Sequence, residues 1–175
     1  MTSIIKVDQI QDNAGADIFN ATGTNITIGR TSGVVKLAKI PMLKCGLSAA
    51  QNVTTAGRVV FNSLSTSNSF NAEDNMSALN TATGVYTIPD GCAGLWHISC
   101  HLYATNNNPN QIAVNVNGAR QDAIGTDNGD SPFNQGAITK RFAAGDQVAM
   151  HLYNTGTSAV QSNIYHTWWQ MNFLG

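Results

Sequence analysis

From about Ile40 onward, apolar and polar positions alternate in short runs separated by glycine, asparagine or proline. Residues 95–103 set Trp96, Ile98, Cys100 and Leu102 against His97, Ser99, His101 and Tyr103, the two-residue period of a strand buried on one side. Residues 111–117 alternate likewise, turning Ile112, Val114 and Val116 inward, and end at Asn117-Gly118, a pair suited to a two-residue hairpin. Residues 147–153 repeat the pattern after Ala144-Gly145-Asp146, and residues 137–142 and 165–174 complete the set. No run of 12 or more residues keeps a 3.6-residue period; only 72–79 suggests a helical turn. Short strands punctuated by turns predict an all-β two-sheet sandwich or barrel.

Residues 1–39 read differently. Brief extended runs at 4–10, 17–20, 25–28 and 34–40 are punctuated by Gly15, Gly23, Gly29 and Gly33, which reads as short β excursions. Forty such residues cannot close a core of their own. Yet Ile4, Ile5, Val7, Ile10, Ile18, Phe19, Ile26 and Ile28 are too apolar for a disordered tail. The expectation is an anchoring arm over 1–39 that lies on trimer mates or a larger scaffold, followed by a folded domain over 40–175.

Composition narrows the partners. The 175 residues are 42% hydrophobic and only 11% charged, so 20 Asn, 17 Thr and 12 Ser must keep the surface wet. A net charge of −1 argues against a nucleic-acid binder working through phosphate neutralisation. Five of the nine basic residues lie in the first 44 positions against three aspartates, which tilts the arm positive. No apolar run reaches the roughly 18 residues of a membrane span, and residues 1–8 lack the features of a secretory signal. The three cysteines, Cys45, Cys92 and Cys100, form no C-x-x-C pair and read as buried free thiols. Four N-x-[ST] triplets are what this much Asn, Ser and Thr gives by chance.

Several segments resemble the C1q/TNF-like jelly-roll family. Gly57-Arg58-Val59-Val60-Phe61-Asn62 with Gly84-Val85-Tyr86-Thr87-Ile88-Pro89 is similar to that family's opening pattern. Gly94-Leu95-Trp96-His97-Ile98-Ser99 is similar to its next strand, with Trp96 where Tyr is usual. Residues 112–118 match its Asn-Gly hairpin, 142–148 its Gly-Asp turn, and 168–174 its closing aromatic strand. Met171 and Asn172 stand where the family generally has a small glycine. The resemblance covers roughly 43–175 and implies a ten-stranded, two-sheet jelly roll that assembles as a homotrimer, without a shared catalytic centre. Adjacent Trp168 and Trp169 point to opposite faces of a strand, so one fills the core and the other lies outside. The trimer-contact set is therefore Trp168 or Trp169, with Tyr103, His97 and His101.

Ser3-Ile4-Ile5-Lys6-Val7-Asp8-Gln9-Ile10-Gln11, followed by residues 15–20, is similar to openings of structural proteins of tailed bacteriophages, especially those of cyanobacteria. The combined resemblance implies a non-enzymatic virion protein, made in the host cytoplasm and placed on the particle surface. As a homotrimeric decoration or cement protein it would clamp the major capsid protein, or another scaffold protein, through Ile4, Ile5, Val7, Ile10, Arg30, Lys36 and Lys39. The alternative is a short tail fibre whose head adsorbs to a glycan or protein on the host. A secreted C1q-like lectin or ligand is a weaker third reading.

Catalytic chemistry finds no support in the sequence. Nucleophile-elbow, zincin, P-loop and dinucleotide motifs are all missing. His97 and His101 would stand about 13 Å apart on one strand, and Cys100 would face the other way. No metal or cofactor is expected within a protomer, although one histidine per chain on a three-fold axis stays open. Asp127-Asn128-Gly129-Asp130 lacks the ligand spacing of a calcium loop and reads as a polar turn. Asn106, Asn107, Asn108 and Asn110, with Asp127 and Asn128 in the 125–136 stretch, read as exposed loops suited to outward recognition.

Overall fold

The computed structural model describes residues 9–11, 17–22, 25–28, 40–64, 72–105, 110–127, 131–163 and 165–175. The chain divides into two units, Met1–Lys39 and Ile40–Gly175. In the first, β1 (Gln9–Gln11), β2 (Asp17–Thr22) and β3 (Asn25–Ile28) form an antiparallel sheet in chain order. Ile10 lies on β1. Ile4, Ile5, Val7, Arg30, Lys36 and Lys39 fall outside the described residues.

The second unit begins with β4 (Met42–Gly46), β5 (Gln51–Val53), β6 (Gly57–Arg58), β7 (Glu73–Asp74), β8 (Leu79–Asn80) and β9 (Val85–Thr87). It continues with β10 (Gly94–Tyr103), β11 (Asn110–Val116), β12 (Ala119–Asp127), β13 (Phe133–Phe142), β14 (Gln147–Asn154), β15 (Ser158–Val160) and β16 (Trp168–Phe173). One sheet runs β13-β10-β16-β4-β7; the other runs β12-β11-β14-β9-β8, with β6 also on β14. Strands β15 and β5 pair separately. The all-β sandwich is as the alternation predicts. Residues 72–79 are not a helical turn but β7, a turn and the start of β8. The Asp74 carboxylate accepts from the Met76 and Leu79 amides, at 3.3 and 2.7 Å, and Glu73 pairs with Lys44 of β4.

Alternation along β10 is realised in full, buried and half-buried residues following one another over all ten positions. Trp96, Ile98, Cys100 and Leu102 face Ile112, Val114, Met150 and Leu152 of the other sheet in one core. Each such large side chain, taken out of water, contributes about 1.5–3 kcal/mol before ordering costs. Asn117 (φ 52°) and Gly118 (φ 80°) form the hairpin turn, both in the left-handed region that a type I′ turn demands. It is locked to the next turn because Asn117 Nδ2 donates to Asp146 Oδ1 at 2.8 Å and Gln147 N donates to Asn117 Oδ1 at 2.9 Å. The expected inward trio of β11 is buried, but so are Ala113 and Asn115 on its other face. Arg120 of β12 covers them: it reaches across β11 to lie 4.4 Å from the Tyr153 ring centre on β14 and also bonds Gln111.

Two bulges in the β11–β12 ladder turn β12 toward β13, the edge strand of the other sheet. The edges meet at glycines. A Cβ on Gly125 would sit 2.5 Å from the Gln135 carbonyl oxygen, and one on Gly136 would land on the Ile124 carbonyl. Lys140 and Asp122 clip the same edges at 2.8 Å.

Asn110 is not in an exposed loop. It starts β11, is 3% exposed, and belongs to a buried polar group with Asn134, Asn154 and Ser158. Ser158 Oγ donates to Asn110 Oδ1 (3.0 Å), and Asn154 Nδ2 donates to Ser158 Oγ (2.9 Å) and to the Val53 carbonyl (3.0 Å). Asn134 Nδ2 donates to the Asn110 carbonyl at 2.9 Å. These bonds offset the burial of the atoms that make them, whereas Asn134 Oδ1 and Asn154 Oδ1 are buried without a partner among the described residues. Ser158→Ala breaks the relay at its centre and is expected to cost about 1–3 kcal/mol. Urea denaturation checks this, and an unchanged midpoint would mean that the relay contributes nothing.

Candidate functional site

The feature that stands out is the outer face of the five-stranded sheet. Cross-strand register sets it out in rows. Phe133 and Tyr103 are opposite each other at one end. Next come Gln135, His101, Trp168 and Gly46, then Ala137, Ser99, Gln170 and Lys44, then Thr139, His97, Asn172 and Met42. Arg141 and Leu95 close the far end beside exposed Leu174 and Ile40. Among the described outward residues of β13, β10, β16 and β4, only Lys44 and Arg141 carry a formal charge.

Rings dominate the first rows. His101 stacks on Phe133 (centroids 5.8 Å apart) and on Trp168 (6.1 Å), and Tyr103 stacks on Phe133 at 5.0 Å. His166 meets Phe133 edge-on at 5.1 Å and approaches His101 to 6.3 Å. Its loop is held by Tyr103 N donating to the buried Thr167 Oγ1 at 3.2 Å. Phe133 remains 41% exposed and Tyr165 65%, so apolar surface is presented to water rather than sealed within the protomer. Burial pushes the His101 imidazole below its ordinary value, with a backbone group of His166 partly opposing.

The sequence reading places His97, His101 and Tyr103 on one outer face with one of Trp168 and Trp169, and the structure brings His101, Tyr103 and Trp168 together. His97 lies on the same face but apart from the rings, its Nδ1 3.4 Å from Thr139 Oγ1. Trp169 is a correction to the contact set. It is fully buried, 5.8 Å from Phe61, because the strand alternation that turns Trp168 outward turns Trp169 into the core. Sequence reading missed Phe133 and His166. Phe133 was assigned to a 125–136 loop, but Gly125 to Asp127 continue β12 and β13 begins at Phe133. The signal was the phase of 133–142, in which Phe133 shares parity with Gln135, Ala137 and Thr139.

Other expected sites separate from this face. Asp127 ends β12, whereas Asn106, Asn107, Asn108 and Asn128 lie outside the described residues. Among the described residues, no group of three or more His, Cys, Asp or Glu is arranged to hold a metal. The cysteines are free and buried, and burial raises the Cys45 and Cys100 thiols. The six-stranded sheet has a different outer face, where Arg58 and Arg120 flank His151 and Tyr153. There His151 Nδ1 is 3.1 Å from the Ala56 carbonyl, and burial lowers the affinity of the ring for a proton.

No family model and no curated protein sequence matches the chain. Solved structures do. The globular domain of zebrafish complement 1qA protein aligns at 13% identity and a TM-score of 0.54, over 77% of this chain and 98% of that one. Murine APRIL at pH 8.5 aligns at 9% identity and 0.56, over 78% and 100%. Eiger TNF from S. frugiperda aligns at 12% identity and 0.54, over 77% and 94%. With its strand order and aromatic outer face already described, the sandwich is a jelly roll of the C1q/TNF type.

Proposed function

We propose that this chain is a non-enzymatic structural protein of a tailed-bacteriophage particle, a homotrimer that decorates and clamps the capsid. The carrying observation is the charge-poor outer face, where Phe133, Tyr103, His101, His166 and Trp168 form one continuous set of rings. An aromatic, charge-depleted patch has the composition of a protein interface core. A second and third copy would cover it, the closed arrangement open to a jelly roll that associates with itself. The arm supplies the clamp. Three arms per trimer would engage a shell together, so modest individual contacts add up through avidity. The similarity of residues 3–20 to phage structural openings supports the particle, and the positive tilt of the arm suits an acidic surface.

The purified chain is expected to sediment at three times its 18.6 kDa mass. Trp168→Ala should shift it to monomer, with association weakened at least tenfold. Capsids lacking the protein should open at lower temperature than complete ones. A monomer at every concentration would sink the self-association, and equal heat stability would sink the clamp. Imaging decides the remaining rival: a few copies at the tail tip would replace decoration by host adsorption.

A further inference from the structure

His101 and His166 lie side by side among the rings of this face, with a backbone group of His166 against the His101 imidazole. His101 Nδ1 is buried without a hydrogen-bond partner among the described residues, and the ring lies between Phe133 and Trp168. Its surroundings can be enumerated. From β13 come Phe133 and Gln135, from β16 Trp168, and from β4 Gly46. From the loop before β16 comes His166, and along β10 itself lie Tyr103 and Ser99. The titratable groups in that set are His166 and Tyr103. Farther along the face stand His97 and Lys44, the latter opposite Glu73 of β7. Among the described residues no ion pair joins His101 or His166 to a carboxylate. A proton on His101 therefore places a cation among aromatic rings and beside a second imidazole.

We propose that His101, enclosed by these rings, makes assembly pH-dependent, so that the trimer holds near neutrality and separates in mildly acidic surroundings. The inference rests on the self-association read above. Its physics is desolvation. Copies closing over the face remove water from the His101 ring, and an imidazolium stripped of water without a counter-charge is disfavoured. Assembly thus lowers the proton affinity of the His101 imidazole relative to the free protomer. A group whose affinity is lowered in the bound state contributes stability at high pH, and loses it as pH falls through the pKa values of the two states. For His101, already held down by burial in the protomer, that window opens below 6.5. One proton taken up per protomer on separation would weaken the trimer by up to about a thousandfold per pH unit inside the window.

The test is sedimentation of the full chain from pH 8 to pH 5, with near-UV circular dichroism to confirm that the sandwich stays folded. The paired variant is His101→Phe with His166→Gln, in which an uncharged ring keeps the stack between Phe133 and Trp168. His101→Gln alone serves if the pair misfolds. The expected result is a wild-type trimer at pH 8 that falls to folded monomer near pH 5, while the variant stays trimeric at both. A wild type that remains trimeric at pH 5 would overturn the inference and leave the trimer intact. Separation of wild type and variant in parallel would overturn it too, since other groups would then be titrating. A wild type already monomeric at pH 8 would remove the self-association itself.

Discussion

Alanine at Trp169 is expected to destabilise the protomer by about 3–5 kcal/mol, whereas alanine at its neighbour Trp168 should cost under about 1 kcal/mol. Trp169 is fully buried, packs 5.8 Å from Phe61 and pairs across the sheet with Cys45 on one side and Cys100 on the other. Its removal leaves a void that these rigid strands cannot collapse into. For a domain with only about 5–15 kcal/mol in total, that is a large share. Trp168 is half-buried and meets the stacked rings of the outer face, so its loss is expected to fall on the proposed self-association instead. Urea denaturation at low protein concentration, where the protomer is monomeric, checks both. Equal midpoints for the two variants would mean that the faces are wrongly assigned.

Gly136→Ala is expected to cost about 3 kcal/mol, the upper end of ordinary overpacking, although it adds one methyl group. That methyl would fall on the Ile124 carbonyl and 2.8 Å from the Gly125 nitrogen, and backbone atoms of a paired strand cannot swing away as a side chain can. The comparison is Gly91→Ala. Nothing lies within 4 Å of the new atom there, and the penalty is the left-handed φ of 76°, about 1–2 kcal/mol. Thermal melts of the two variants give the order. If Gly136→Ala proves the milder, β12 and β13 do not close the sandwich edge as described.

Much of this architecture is legible in the chain because period-two burial is a local signal. Residues 95–103 alternate cleanly since β10 lies inside its sheet with the core on one side only. The Asn117-Gly118 turn is equally local, its backbone angles being written into the pair. What cannot be read is burial imposed from a distance. Asn110 looks like the end of an asparagine-rich loop, and only Ser158 and Asn134, brought in by other strands, make it a core residue. Ala113 and Asn115 sit on the polar phase of β11 and are nonetheless buried, on a face that Arg120 of β12 crosses to reach Tyr153. Of the candidate face, the β10 and β16 residues follow from strand phase. Phe133 and His166 do not, since one hides behind a turn-rich stretch and the other lies in a loop. The choice between Trp168 and Trp169 likewise needs the register with β10.

One pairing bears on how the molecule is made. Strand β16, the last of the described sandwich strands, lies between β10 and β4, with Met42 opposite Asn172. A nascent polypeptide still on the ribosome therefore holds β4 and β10 without the strand that joins them, and such long-range closure is slow. Trp168 and the loop carrying His166 also come late in synthesis, so the sticky surface is completed only when the fold is. A product that stops before β16 would lack Trp168 and with it part of the aromatic face.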